Sequence, residues 1–360
     1  MASKGVTIFI TGAAGYVGAA LSDQLSKRPD VAGVIALDRD PKPALLEGNE
    51  KVVWYTANTA DTSWQDDVRR HHPDVVIHCA WEIREMYGKR KLQWHWNVEG
   101  SLNVFSFAFT IPSVKRLIHF STAAVYGASP TNTIEHRFLE NEPLRETEYS
   151  YGSEKRFVEE DLRKRFEEGE RRSDKIPVVS IVRPAAITGP RGRFMRLRFG
   201  LQSVLSGQLP PTFLNRVVSL LVSVVPATAL WCRQFVHEDD VVDIVTALAL
   251  GDSSKSFSVF NLAPQGEVVR AGHMAAAVSK KVLPVTPFMI RLGYFFAWHL
   301  TRGRIPTAPG VWRFYSYPIV LDGSKVTREL GIKYQFRSPE AFQSTRGRYE
   351  RFVPGNKRRA

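Results

Sequence analysis

Two cysteines in 360 residues, Cys79 and Cys232, are too few for a disulfide framework. No Cys/His cluster has ligand spacing either, so a structural zinc module is excluded and no metal is expected. Long apolar runs are also lacking. The longest charge-free one, residues 217–232, is broken by Pro226 and is shorter than a spanning helix needs. No apolar signal segment follows Met1, and a cytoplasmic location is expected. There is no internal repeat and no basic helix interleaved with stacking aromatics, which argues against a nucleic-acid partner. Acid is the scarcer charge: 36 Asp and Glu face 49 Lys and Arg, a net charge of +13 that favours anionic partners.

The chain does have an ordinary globular balance, 44% hydrophobic and 24% charged, and is long enough to need no staple. Apolar, β-branched runs at 6–11, 33–38, 52–57, 74–80, 116–121 and 176–182 are predicted strands. Helical patterns at 16–28, 61–71, 92–110 and 148–168 alternate with them. Nearly all-apolar strands alternating with helices predict an α/β fold, a Rossmann-type doubly wound parallel sheet covered on both faces. After Arg183 the alternation loosens. A helix over 235–250 with the strand before it, and a strand at 257–262, are assigned back to the sheet. This gives a nucleotide-binding domain over 1–185 with 234–263 returning to it. A smaller C-terminal α/β substrate lobe takes 186–233 and 264–345, and a basic, poorly ordered tail runs over 346–360.

The turn between the first strand and first helix reads TGAAGYVG at 11–18. Glycines there let backbone N–H groups approach a pyrophosphate at a helix N-terminus. Gly12, Ala14, Gly15, Tyr16, Val17 and Gly18 are therefore the candidate phosphate cradle. Asp38 closes the second strand, where an acid accepts both adenosine ribose hydroxyls and repels a 2′-phosphate. The implied cofactor is NAD. Arg39 follows directly and could bind that phosphate, which keeps NADP as the alternative.

Tyr151 and Lys155, in YGSEK, lie at i and i+4 and share a helix face. An ammonium beside a phenol favours phenolate, which makes Tyr151 a candidate acid/base for alcohol–ketone interconversion. Ser121 and Thr122 end the fifth strand, where parallel sheets bind ligands and where a hydroxyl can stabilise charge on a reacting oxygen.

In this order the elements resemble the extended short-chain dehydrogenase/reductases, the NAD-dependent epimerase/dehydratase family. The matching pieces are TGAAGYVG at 11–18, LD at 37–38, VIHCA at 76–80, NVEG at 97–100, FSTAAVYG at 120–127 and YGSEK at 151–155. RPAAITGP at 183–190, RQFVHEDD at 233–240 and DGSKVTRELG at 322–331 complete the set. The resemblance implies Thr122 as the catalytic Ser/Thr, Tyr151 as acid/base, Lys155 as its partner and Asn97 as support for the proton relay. It adds Ala80 to the cofactor contacts and implies a homodimer. Asn58 stands where the family commonly has an acid near the adenine.

Departures from the family pattern narrow the chemistry. The 4,6-dehydratases resembling this family place Asp-Glu straight after the strand-five threonine, and the decarboxylases place a glutamate at the second of these positions. Ala123 and Ala124 stand there, with nothing to titrate, so both reactions are disfavoured. Ala185-Ala186 replaces the asparagine segment of many sugar-nucleotide enzymes and looks more like members acting on carbonyl compounds, sterols and flavonoids included. Arg233, conversely, matches the arginine that holds a substrate diphosphate. Trp81 and Glu82, just past strand four, are further substrate-contact candidates, whereas His78 and His237 read as fold residues.

The expected activity is hydride transfer at a secondary alcohol or ketone of a small, apolar or nucleotide-linked substrate. The alternative is a sugar-nucleotide 4-epimerase with tightly held NAD. A non-catalytic cofactor sensor is disfavoured by the Tyr–Lys pair. Basic clusters at 84–91, at 191–198 and past 346, with apolar stretches at 217–232 and 288–300, also raise a peripheral membrane contact.

Overall fold

Six strands open the chain: β1 (Val6–Thr11), β2 (Val31–Asp38), β3 (Val52–Thr56), β4 (Val75–His78), β5 (Arg116–Phe120) and β6 (Val178–Pro184). The computed structural model describes residues 5–194, 224–252, 255–277 and 280–353. Parts of three stretches singled out in the sequence, 195–198, 217–223 and 354–360, lie outside the described residues. The strand Phe257–Leu262 completes a seven-stranded sheet in the order Phe257–Leu262, β6, β5, β4, β1, β2, β3. The pairings from β6 to β3 are parallel. Strand order reverses between β1 and β4, which is the switch point where ligands bind in such sheets. This is the doubly wound α/β sheet the sequence predicts.

The chain divides into two compact units. The first comprises residues 1–122, 153–183 and 242–260, and the second 123–152, 184–241 and 261–360. In the first unit, helix α1 (Tyr16–Ser26) follows β1, α2 is Gln65–Arg69 and α3 is Arg90–Trp94. A π-helical turn over His95–Glu99 leads into α4 (Gly100–Thr110), and α5 is Ser150–Arg172. Val158, Leu162 and Phe166 recur every fourth residue on α5 and are buried with Leu117 and Ile181 of the sheet. Each contributes about 1.5–3 kcal/mol by leaving water. The outer face of α5 carries i,i+4 pairs, among them Arg156–Glu160 at 3.5 Å, and its last turn ends on Arg171 and Arg172, complementing the helix dipole. Phe9 of β1 packs on Trp64 (5.3 Å between rings) and Phe107 (5.8 Å).

In the second unit three short pairings replace a large sheet. Ala186–Thr188 runs parallel to Phe235–His237, Cys232–Arg233 antiparallel to Val269–Arg270, and Val224–Ala227 parallel to Lys281–Pro284. The core gathers Val225, Trp231, Phe235, Val269, Met274 and Phe342. Residues 123–152 belong to this unit. Tyr126 donates to Asn261 Oδ1 at 2.9 Å, and Asn132 Nδ2 donates to the Pro318 carbonyl at 2.9 Å.

Three expectations need correction. The helix over 61–71 shrinks to Gln65–Arg69, because Asn58 starts a turn that delays it. The strand before Glu238–Leu250 does not return to the large sheet. Gln234 is fixed by Pro264 O, Leu321 O and Leu321 N, and Phe235 N donates to Ser338 Oγ at 2.7 Å, which commits the strand to Ala186–Thr188. The stretch from Arg346 is not a loose tail up to Val353. Arg348 N donates to Asp239 Oδ2 at 2.9 Å, and Tyr349 is fully buried.

Candidate functional site

In the first unit the turn after β1 is shaped by two glycines. Gly12 has φ +69°, and a Cβ there would lie 2.5 Å from Ala80 N. A Cβ on Gly18 would lie 2.2 Å from the Gly12 carbonyl oxygen, so helix α1 can press against the turn only with glycine there. Gly15 N donates to Gly12 O at 3.0 Å, and α1 begins at Tyr16 with no acid in its first turn. The first turn of the helix therefore adds no negative charge against an incoming phosphate. Asp38 Oδ2 accepts from Ala14 N at 2.8 Å and Oδ1 from Asp40 N at 3.0 Å, so the carboxylate is anchored beside the turn at the end of β2. Arg39 is engaged elsewhere: its Nη2 is 2.6 Å from Glu82 Oε2, and its guanidinium lies 4.4 Å over the Trp96 ring. Asn58 Oδ1 accepts from Ala60 N at 3.0 Å in a local turn, and Ala80, half-buried, backs Gly12.

Beneath this turn runs a buried polar chain. Ser101 Oγ donates to Asn97 O at 2.5 Å, so its single hydrogen is committed. His78 Nε2 must then donate to Ser101 Oγ (2.8 Å), and His78 Nδ1 accepts from Thr11 Oγ1 (2.7 Å). The ring is a neutral linker, its pKa pushed down to about 3 by burial and then by the Lys155 charge. His237, in the second unit, is placed the same way. Its Nδ1 accepts from Asp239 N at 3.2 Å, and its Nε2 donates to Arg346 O at 3.1 Å.

Asn97 sits in the π-helical turn, where one added residue redirects its side chain. Oδ1 accepts from Glu82 N at 2.7 Å; Nδ2 donates to Glu82 O at 3.1 Å and to Glu154 Oε2 at 2.8 Å. It thus ties the Trp81–Glu82 segment to α5 one residue before Lys155. Lys155 is buried. Its Nζ donates to the Phe120 carbonyl at the end of β5 and lies 3.7 Å from the centre of the Trp81 ring. Burial lowers its pKa to about 7 against the opposing pull of Cys79, Glu159 and Glu154. Thr122, the last residue of this unit's β5 segment, is buried.

That lowered pKa has a consequence for stability. Between about pH 7 and the ordinary lysine value near 10.5 the unfolded chain holds a proton on Lys155 that the folded one does not. Stability from this group therefore rises with pH across that window and is lost below it. Denaturant unfolding at both ends of the window should show wild type gaining on Lys155→Met by about 1–4 kcal/mol as pH rises. Parallel curves for the two proteins would contradict the assignment.

In the second unit, α5 starts from a loop organised by Glu146. Its buried Oε1 accepts from the backbone N–H of Thr147 (3.0 Å), Glu148 (2.8 Å) and Tyr149 (2.7 Å). Tyr151 follows, one helical turn before Lys155 in the chain. It packs in an apolar cluster with Ala124, Ala128, Phe314, Tyr149, Tyr317 and Ile319. Arg233, half-buried on its two-residue strand, is in no ion pair among the described residues. The nearby tyrosines Tyr294 and Tyr315 feel its charge.

Sequence reasoning pointed to most of these positions but missed several partners: Glu154 under Asn97, Trp96 under Arg39, Glu146 at the start of α5, and Phe314 beside Tyr151. Apart from Glu146, whose partners are the next three residues, each pairing joins residues distant in the chain, and no local motif marks it.

The glycine turn, the acid closing β2 and the Tyr–Lys helix define a nucleotide-dependent α/β enzyme class, and comparison with known proteins agrees. Residues 8–263 match the NAD dependent epimerase/dehydratase family, and the chain belongs to it. An uncharacterized protein of Mycobacterium tuberculosis is 26% identical over 339 residues, covering 93% of this chain and 82% of that one. Among solved structures, the Bordetella bronchiseptica enzyme WbmG in complex with NAD and UDP superposes with a TM-score of 0.66. It is 22% identical, over 95% of this chain and 93% of that one. UDP-glucose 4-epimerase from Thermotoga maritima, with UDP-glucose, has a TM-score of 0.66 at 18% identity, over 96% and 99% of the two chains. These likenesses support the fold reading.

Proposed function

We propose that the chain is an NAD-dependent oxidoreductase acting on a secondary alcohol or ketone with an apolar body. The observation that carries this is the setting of Tyr151. Its ring packs among Ala124, Ala128, Phe314 and Ile319, with Tyr149 and Tyr317 alongside. A ligand with an apolar body suits that packing and offers the phenol a hydroxyl or carbonyl. The residues of the first unit fit the dinucleotide: the tight glycine turn and α1 N-terminus for its pyrophosphate, Asp38 for its adenosine ribose. Bound there, NAD supplies a hydride acceptor. Tyr151 moves the hydroxyl proton, Thr122 hydrogen-bonds the reacting oxygen, and the Lys155 ammonium favours the phenolate. Asn97 acts as a positioning residue, holding Glu82 and Glu154. Trp81 is taken up with Lys155 and Glu82 with Arg39, so both act on the cofactor side more than on substrate.

The Arg39–Glu82 pair supports NAD over NADP, because Arg39, the cation that follows Asp38, is already paired with a carboxylate. Glu82→Gln should shift the NADP-to-NAD affinity ratio toward NADP by about two- to fivefold, the worth of a part-exposed ion pair. Fluorescence titration with both cofactors would read it, and an unchanged ratio would count against this role for Glu82.

A second reading, sugar-nucleotide 4-epimerisation, is favoured by one observation: Arg233 has no carboxylate partner among the described residues and is suited to a diphosphate. Releasing bound nucleotide by heat and identifying it by mass spectrometry separates the two. Protein that arrives empty and binds NAD reversibly supports the oxidoreductase. NAD retained at near one per chain supports the epimerase. A homodimer and a cytoplasmic location are part of this proposal by family resemblance, and chromatography with light scattering tests the first.

A further inference from the structure

The helix Pro287–Leu300 buries Ile290 and Trp298 against the second unit. Its start is well fixed: Thr286 Oγ1 accepts from Met289 N at 3.3 Å, with Pro287 in the first turn. The opposite face is apolar as well. Phe288, Met289, Leu292, Phe295, Phe296 and Leu300 are between 45% and 80% exposed. The adjoining strand Lys281–Pro284 adds exposed Val282 and Leu283. So many large apolar side chains on one surface exceed what a soluble chain leaves uncovered without a partner.

Charge says what the partner is. Between Glu267 and Asp322 the sequence contains no Asp or Glu, while Arg270, Lys280, Lys281, Arg291, Arg302, Arg304 and Arg313 all fall in that interval. Arg313 pairs with Glu148, and the other cations of this stretch suit the apolar face to a surface that is greasy inside and negative at its edge. At 14 residues the helix is about 21 Å long, shorter than a bilayer core of about 30 Å. Among the described residues no helix is long and apolar enough to cross a membrane. The geometry suits a helix lying in the plane of the surface.

We propose that the helix Pro287–Leu300 docks the protein on the surface of an anionic lipid bilayer. It seats the exposed aromatic face among the acyl chains and the arginines among the headgroups. The same helix contacts the segment Val311–Ser316: Arg291 lies 5.5 Å from the Trp312 ring, and Tyr294 packs 5.7 Å from Tyr315. Phe314 of that segment belongs to the apolar cluster that holds Tyr151. The docking face is therefore one short helix away from the tyrosine, within the same unit. The inference stands independently of which alcohol or ketone is turned over.

Flotation of the full chain with vesicles of phosphatidylcholine alone, or with about one third phosphatidylglycerol, tests it. Wild type should float with the anionic vesicles only and release in about 0.5 M salt. Phe288→Ser/Phe296→Ser should weaken partitioning by about tenfold or more, with an unchanged melting temperature and an unchanged mass by light scattering. Absence of flotation with anionic vesicles, or flotation unaffected by the double substitution, would overturn the proposal. So would a double variant whose mass falls by half, which would make the face a contact between two copies of the chain. A large drop in melting temperature would mean that the chain itself covers the face, and would overturn the proposal too.

Discussion

Tyr151→Phe should lower kcat by about 10²- to 10⁴-fold while leaving NAD affinity within about twofold. The substitution removes one hydroxyl and keeps the ring. The ring packs 5.7 Å from Tyr149 and against Ala124 and Phe314, so the local structure and the melting temperature should not change. What is lost is the atom that moves the substrate proton. Lys155 cannot replace it. Its Nζ is held by the Phe120 carbonyl and the Trp81 ring, in the first unit. Steady-state kinetics on any substrate found by screening, with a parallel cofactor titration, checks both halves of the expectation. A variant of full activity would remove Tyr151 from the chemistry.

The second large effect is expected at Gly12→Ala. A left-handed backbone at φ +69° costs an L-residue about 1–2 kcal/mol. The new methyl would also meet Ala80 N at 2.5 Å and Ala80 Cα at 2.6 Å. Neither atom can retreat easily, because Ala80 lies two residues past the end of β4, which pairs with β1 on one side and β5 on the other. The turn must shift, and the amides meant for the pyrophosphate shift with it. Unfolding in urea should show a loss of about 3 kcal/mol or more, and NAD affinity should fall by at least about tenfold. Wild-type stability and affinity in this variant would mean that the turn is neither tight nor a cofactor cradle.

The sheet was legible in the sequence because its signals are local. The run VTIFIT at 6–11 is apolar or β-branched at every position, and the strand is found at Val6–Thr11. The strand Phe257–Leu262 was likewise read at its true bounds. The π-helical turn at Asn97 was not, since it changes hydrogen bonding without changing composition: 92–110 looks like one helix. The strand Phe235–His237 was misassigned for a different reason. Its sequence shows a strand, but its partner is selected by Gln234 and Ser338, which no periodicity connects. The stretch after Arg346 is polar and reads as a tail, yet it is held by backbone bonds to Asp239 and by one buried ring, Tyr349.

The candidate site follows the same division. The cofactor turn, Asp38 and the Tyr–Lys helix are motifs, each contained in one short segment. The partners that set their electrostatics are not. Glu82 neutralises Arg39 from 43 positions away, and Trp81 comes to Lys155 from a different strand end. Sequence kept Arg39 as the phosphate ligand of the NADP alternative, and the partner that the structure gives it, Glu82, carries no local signal.

The most direct test of the central claim is the appearance of NADH absorbance when the purified chain and NAD are mixed with a panel of secondary alcohols, apolar ones first. The account predicts reduction of NAD by at least one apolar alcohol and near-abolition of the signal by Tyr151→Phe. A chain that binds NAD but yields no NADH with any alcohol, and instead interconverts a sugar nucleotide and its 4-epimer, would contradict it.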